Sequence, residues 1–142
     1  MSKALCLAEE AKKQNEVPIG AVVVFENRII GCGYNRIQEL RDATAHAEIF
    51  AMKEASSFLK NKFLNNCDLY VSLEPCSMCA GAAILFRLRS IYFAAFDTKA
   101  GACGSVYNLP SENKLNHKIE IYNGLLEDES ISLLKQFFSH LR

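Results

Sequence analysis

At 142 residues the chain has the length of one domain and can bury one hydrophobic core. Its 50% hydrophobic and 23% charged residues are those of a globular protein, which excludes an intrinsically disordered or collagen-like chain. Sixteen Lys and Arg balance sixteen Asp and Glu, so a nucleic-acid partner has to be met by a local patch rather than by bulk attraction.

The elements follow in order along the chain. Ala4, Leu5, Ala8 and Ala11 recur with helical spacing, and this first helix has to end before Pro18, because the residue ahead of a proline disfavours the α region. Charged residues Glu9, Glu10, Lys12 and Lys13 interrupt it, unlike a secretory leader. Ile19 to Phe25 and Arg28 to Gly33 are rich in β-branched residues, and the two-residue link Glu26-Asn27 suits a hairpin. A helix is expected from Ala45 to Lys60, a strand from Asp68 to Leu73, a helix from Ser77 to Phe86 and a strand from Ile91 to Phe96. Lys118 to Tyr122 reads as a last strand, and Ile131, Leu134, Phe137, Phe138 and Leu141 trace the apolar face of a terminal helix.

Strands alternating with helices of this length imply crossover connections. The expected fold is α/β: one domain over residues 1–142, three α/β/α layers and a mixed sheet of about five strands. The longest apolar runs fall far short of the roughly 20 residues that span a bilayer, so no membrane and a cytoplasmic location are expected. In that compartment the six cysteines stay reduced or bind metal. Cys6, Cys67 and Cys103 are expected as small apolar fillers.

The chemistry gathers at the starts of the two middle helices. One reads Thr44-Ala45-His46-Ala47-Glu48, the other Glu74-Pro75-Cys76-Ser77-Met78-Cys79. Loops leaving the C-terminal ends of parallel strands share one sheet edge, which is where open α/β folds bind ligands. Cys76 and Cys79 open a helix whose N-terminus favours thiolates, and Pro75 has no amide hydrogen to leave unpaired there. Two thiolates and an imidazole suit one Zn²⁺, with the fourth position left for water. A catalytic site then needs a base to take up the proton that such a water loses near neutral pH. Glu48 is the candidate, since it follows His46 by two residues, about 200° round an ideal helix, and need not bind the same metal. The bland alternatives are a structural zinc, for which Cys32 or Cys103 would have to be the fourth ligand, and a Glu74 that only supports the cysteines.

His46-Ala47-Glu48 followed by Pro75-Cys76-Ser77-Met78-Cys79 resembles the signature of the zinc-dependent cytidine deaminase superfamily. The roles it implies, His and two Cys on zinc and Glu moving protons, are those already attached to that signature. Within the superfamily the chain is similar to the bacterial tRNA-specific adenosine deaminases. The likeness runs from Glu16-Val17-Pro18-Ile19-Gly20 through Gly33-Tyr34-Asn35-Arg36, Asp97 to Ser105 and Leu115-Asn116-His117-Lys118 to the C-terminal helix. It implies conversion of adenosine to inosine at the first anticodon position by a zinc-containing homodimer. The partner subunit would help to line the RNA site, and Asn35, Ala45, Asp97, Lys99, Asn116 and Lys118 would bind the substrate. Ala43 stands where that family often has proline, and Phe96 occupies a variable position.

An RNA surface is sought between Arg87 and Lys118. There Arg87, Arg89, Lys99, Lys114 and Lys118 face only Asp97 and Glu112, a net of three positive charges. Phe137 and Phe138 have the aromatic faces that stack bases, but their helical spacing with Leu134 and Leu141 also fits a core. Two other functions share the motif: deamination of a free base or nucleotide of the guanine or cytosine type, and a non-catalytic zinc module that binds RNA or a partner.

Overall fold

The computed structural model describes residues 1–141. Helix α1 (Ser2–Lys13) leads into a hairpin of β1 (Gly20–Phe25) and β2 (Arg28–Tyr34). Glu26 and Asn27 both take left-handed backbone, φ 49° and 62°, which is the twist a two-residue hairpin needs even without glycine. A one-turn helix α2 (Ile37–Leu40), not foreseen from the sequence, precedes α3 (Ala47–Leu59). Then come β3 (Cys67–Leu73), α4 (Ser77–Leu85), β4 (Ser90–Ala95), a short 3-10 turn at Leu109–Ser111, β5 (Glu120–Asn123) and α5 (Glu127–His140). Helix α3 starts two residues later than expected, because Ala45 and His46 are held outside the helix.

Among the described residues the sheet has five strands in the order β2-β1-β3-β4-β5. Strand β1 is antiparallel to both β2 and β3, while β3, β4 and β5 are parallel. Strand β2 therefore points the same way as β3 to β5. The ends of β2, β3 and β4 that lead to Asn35, Glu74 and Phe96 lie at one edge of the sheet.

Alternation along the strands divides the residues between two layers. Ala21, Val23, Leu69, Val71, Ile91 and Phe93 face α3 and α4 and meet Ala47, Ala51, Met52, Ala55, Ala80 and Ala83 in the main core. The opposite face carries α1, whose buried side chains are alanines, and α5, whose Ser130 hydroxyl donates to the Ser72 carbonyl. Close approach on the α3 side depends on Gly33, where a Cβ would stand 2.2 Å from the Ala47 carbonyl oxygen at the start of α3. Gly33→Ala is expected to force α3 off the sheet at the typical overpacking cost of about 1–3 kcal/mol. Thermal unfolding should show a fall in Tm of several degrees; an unchanged Tm would mean that the helix start can move freely.

The terminal helix departs from expectation. Ile131, Leu134 and Phe137 are half-buried, but Phe138 and Leu141 are exposed, because α5 lies over the rim of the sheet beside Ala95 and Phe96. Cys6, expected as filler, is exposed on α1, whose sheet-facing positions Ala4, Ala8 and Ala11 leave it on the outer side. Cys67 and Cys103 are buried as expected.

Candidate active site

Both motif segments begin helices at the edge defined above. His46 is the residue ahead of α3, with extended backbone at φ −84° and ψ 149°, and Cys76 stands in the same relation to α4 at φ −73° and ψ 176°. Their side chains are thus free of the helical direction, and Cys79 joins them from the first turn of α4. The α3 start is held from a distance. The Ala47 N–H donates to Asn35 Oδ1 at 3.0 Å, a capping bond supplied from the end of β2.

His46 Nδ1 lies 3.7 Å from Cys76 Sγ and 3.6 Å from Cys79 Sγ, and the three potential ligand atoms fall within 4.8 Å of one another. A tetrahedral zinc with Zn–S of about 2.3 Å and Zn–N of about 2.0–2.1 Å separates nitrogen and sulfur by about 3.6 Å, so this donor set fits the ion. No fourth His, Cys, Asp or Glu joins the group among the described residues, which is the pattern of an open site rather than a closed structural one. Cys32 and Cys103, either of which a structural site would have to recruit as fourth ligand, both stand outside it, and burial pushes the Cys103 thiol up to about 12.

The charges suit a dication. Hydrogen bonding from Cys79, and also from His46, pulls the Cys76 thiol down to about 4, while the proton shared within the pair holds Cys79 far above the ordinary thiol range. His46 is raised by its hydrogen bond with Cys76. A bound cation takes the place of these protons on a thiolate pair.

Glu48 sits in the first turn of α3 and is only 3% exposed. Burial raises its carboxyl to about 7, and its Oε2 is a buried atom with no hydrogen-bond partner. An ordinary solvated helix glutamate has neither property. A buried carboxyl oxygen left unpaired beside a metal donor set is available to a ligand or to water.

The remaining expected residues divide into two groups. Asn35 is 2% exposed with Oδ1 engaged by Ala47, and Ala45 is buried with its N–H on the Asp42 carbonyl and its carbonyl on the Arg36 N–H. Asp97 follows β4 at the same edge, and its Oδ1 accepts the N–H groups of Lys99 and Ala100 at 3.0 and 3.1 Å, leaving the Lys99 side chain exposed. Asn116 and Lys118 are elsewhere. His117, between them, bonds the Leu88 carbonyl at 2.7 Å, just ahead of β4, and Lys118 leads into β5, whose Glu120 pairs with Ser90. That is the opposite end of the parallel strands.

The expected basic patch is divided by the same topology. Arg87 and Arg89 precede β4; Arg89 forms a fork with the two oxygens of Asp68 at 2.9 and 2.6 Å, and Arg87 lies 4.2 Å over the Phe63 ring. Lys118 Nζ donates to Asn113. Of the five cations in that window, Lys99 alone follows directly from a strand end at the donor edge.

Glu74 is the residue whose importance the sequence understates. Its carboxylate is buried among four donors of the Asp97 to Ser105 segment. Its place ahead of Pro75-Cys76 was visible, but its partners, more than twenty residues away, were not.

Fold and donor set define the class: residues 1–142 match the model of the MafB19-like deaminases. A tRNA-specific adenosine deaminase of Aquifex aeolicus is 45% identical over 139 residues, covering 98% of this chain and 91% of that protein. A solved structure from work on A-to-I editing by tRNA:A34 deaminases at the wobble position of transfer RNA superposes with a TM-score of 0.91 at 44% identity, covering 94% of this chain and 97% of that one. The guanine deaminase of Nitrosomonas europaea is more distant, with a TM-score of 0.80 and 32% identity over 97% of this chain and 82% of that one. The chain belongs to the tRNA-specific adenosine deaminases of the cytidine deaminase superfamily.

Proposed function

We propose that this chain hydrolyses adenosine to inosine at the first anticodon position of a tRNA, as a single catalytic domain over residues 1–142 that works as a cytoplasmic homodimer. The observation that carries the chemistry is the buried Glu48, with an unpartnered Oε2, beside the donor set of His46, Cys76 and Cys79. The choice of substrate is supported by the greater likeness to the tRNA:A34 deaminase than to the guanine deaminase.

His46, Cys76 and Cys79 would hold one zinc ion per subunit, which supplies Lewis-acid activation of water. Glu48 accepts the proton of the water that attacks C6 of adenine and delivers it to N1. It then takes the proton of the new C6 hydroxyl and passes it to the exocyclic amine, which leaves as ammonia as C6 becomes a carbonyl. Asn35, its Oδ1 held by Ala47, offers Nδ2 to the nucleoside, and Ala45 offers its methyl group. Asp97 shapes the turn that presents Lys99 to the RNA backbone. Among the described residues no helix is long and apolar enough to cross a membrane. The direct test is incubation of purified protein with total tRNA and with free adenosine, guanine and cytosine, followed by nucleoside analysis. Inosine in tRNA alone supports the reading; conversion of a free base with tRNA untouched overturns it.

The divided cations refine the expectation for binding. Lys99→Glu should weaken tRNA binding and flatten its salt dependence by about one unit of slope, since one phosphate contact fewer releases fewer counterions. Lys118 stands at the other end of the strands with its Nζ on Asn113, so Lys118→Glu should cost less than Lys99→Glu unless a second subunit or a longer stretch of RNA brings it into contact. Binding titrations at several salt concentrations, with sedimentation of the parent, check both points. Full affinity in Lys99→Glu would make Lys99 an ordinary solvated residue.

A further inference from the structure

Backbone that joins no regular ladder must satisfy its N–H groups some other way. Between Asp97 and Ser105, three of them converge on one side chain. Glu74, 2% exposed, accepts the Asp97 N–H on Oε2 at 3.0 Å and those of Cys103 and Ser105 on Oε1 at 3.0 and 2.9 Å, and the Ser105 hydroxyl also donates to Oε2. The donors come from both ends of the segment, so one carboxylate closes it into a loop. The middle of the loop reaches the same point. A Cβ on Gly101 would stand 2.4 Å from the Glu74 carboxyl and 2.5 Å from the Asp97 carbonyl oxygen, Gly101 bridges to Cys76, and the Ala102 N–H donates to the Pro75 carbonyl at 2.8 Å. Hydrogen bonds to a carboxylate are roughly twice as strong as neutral ones, and here they join the exit of β3, which carries both cysteines, to the loop that carries Asp97 and Lys99.

We propose that Glu74 is a positioning residue that holds the Asp97 to Ser105 loop in place as a wall of the substrate pocket. This rests on the reading that the same edge receives the deaminated nucleoside. Glu74 contributes no atom to the metal donor group found among the described residues, so its effect is separable from metal binding. A displaced wall weakens the hold on substrate more than it slows the chemistry, so KM responds before kcat.

Glu74→Gln keeps the shape of the side chain but turns one acceptor oxygen into an NH₂ group. With Cys103 and Ser105 keeping the remaining oxygen, the Asp97 N–H loses its partner. Gly101→Ala disturbs the same junction from the loop side with Glu74 intact. For both variants, zinc content, amide hydrogen exchange, kcat and KM on tRNA are measured. The expected result is about one zinc per chain, faster exchange confined to residues 97–105, and KM raised about tenfold with kcat within about threefold of the parent. An unchanged KM overturns the proposal; so does loss of zinc or faster exchange throughout the chain, which would make Glu74 merely a structural residue. A parent protein that makes no inosine in tRNA removes the substrate reading alone. The exchange arm then still decides the clamp, because loop amides as slow in Glu74→Gln as in the parent would overturn it.

Discussion

Glu48→Gln should keep zinc and fold while turnover falls by at least the roughly 10²–10⁴-fold typical of a general acid–base group. The glutamine amide has the size of the carboxyl but neither accepts nor returns a proton, so both attack by water and departure of ammonia lose their carrier. Stability should not suffer. The carboxyl is 3% exposed, and burial raises it to about 7, so the protein pays to keep a charge there that an amide does not carry. The measurements are inosine formed per minute, zinc per chain and the midpoint of thermal unfolding. Turnover near that of the parent would make Glu48 a bystander, and loss of zinc would make it a ligand.

Cys76→Ala should lower zinc from about one per chain to a small fraction and abolish turnover with it. Cys76 Sγ lies 3.7 Å from His46 Nδ1, and Cys76 stands ahead of α4, where the helix N-terminus favours a thiolate. Removing it leaves His46 and Cys79, and two ligands do not hold zinc as three do. Cys103→Ala is the control. That thiol is buried outside the donor group, so zinc should be kept while packing loosens slightly. Full zinc in Cys76→Ala, or its loss in Cys103→Ala, would sink the ligand assignment.

The donor group was readable residue by residue because its chemistry is local. Cys76 and Cys79 are a helical turn apart, and His46 and Glu48 flank the start of another helix. Alternation of strands and helices likewise implied a layered α/β fold with its loops at one edge. Periodicity was less informative at the chain's end, where Phe138 and Leu141 repeat with Leu134 but are exposed, because spacing gives a helix an apolar face without saying how much of it the sheet covers.

Long-range pairing settled the rest. Arg87, Arg89, Lys99 and Lys118 read as one basic window along the chain, yet Lys99 follows β4 while the others precede β4 or β5, and parallel strands put those positions at opposite ends of the sheet. Arg89 further spends its fork on Asp68, a partner twenty-one residues away that no local pattern discloses. Asn35 caps α3 and Glu74 gathers the Asp97 to Ser105 loop for the same reason: a hydrogen bond needs proximity in space, and strand order and register set that proximity. The candidate metal ligands and proton carrier thus lie in short motifs, whereas what surrounds them, and which charges share their edge of the sheet, follow from how β2, β3 and β4 lie side by side.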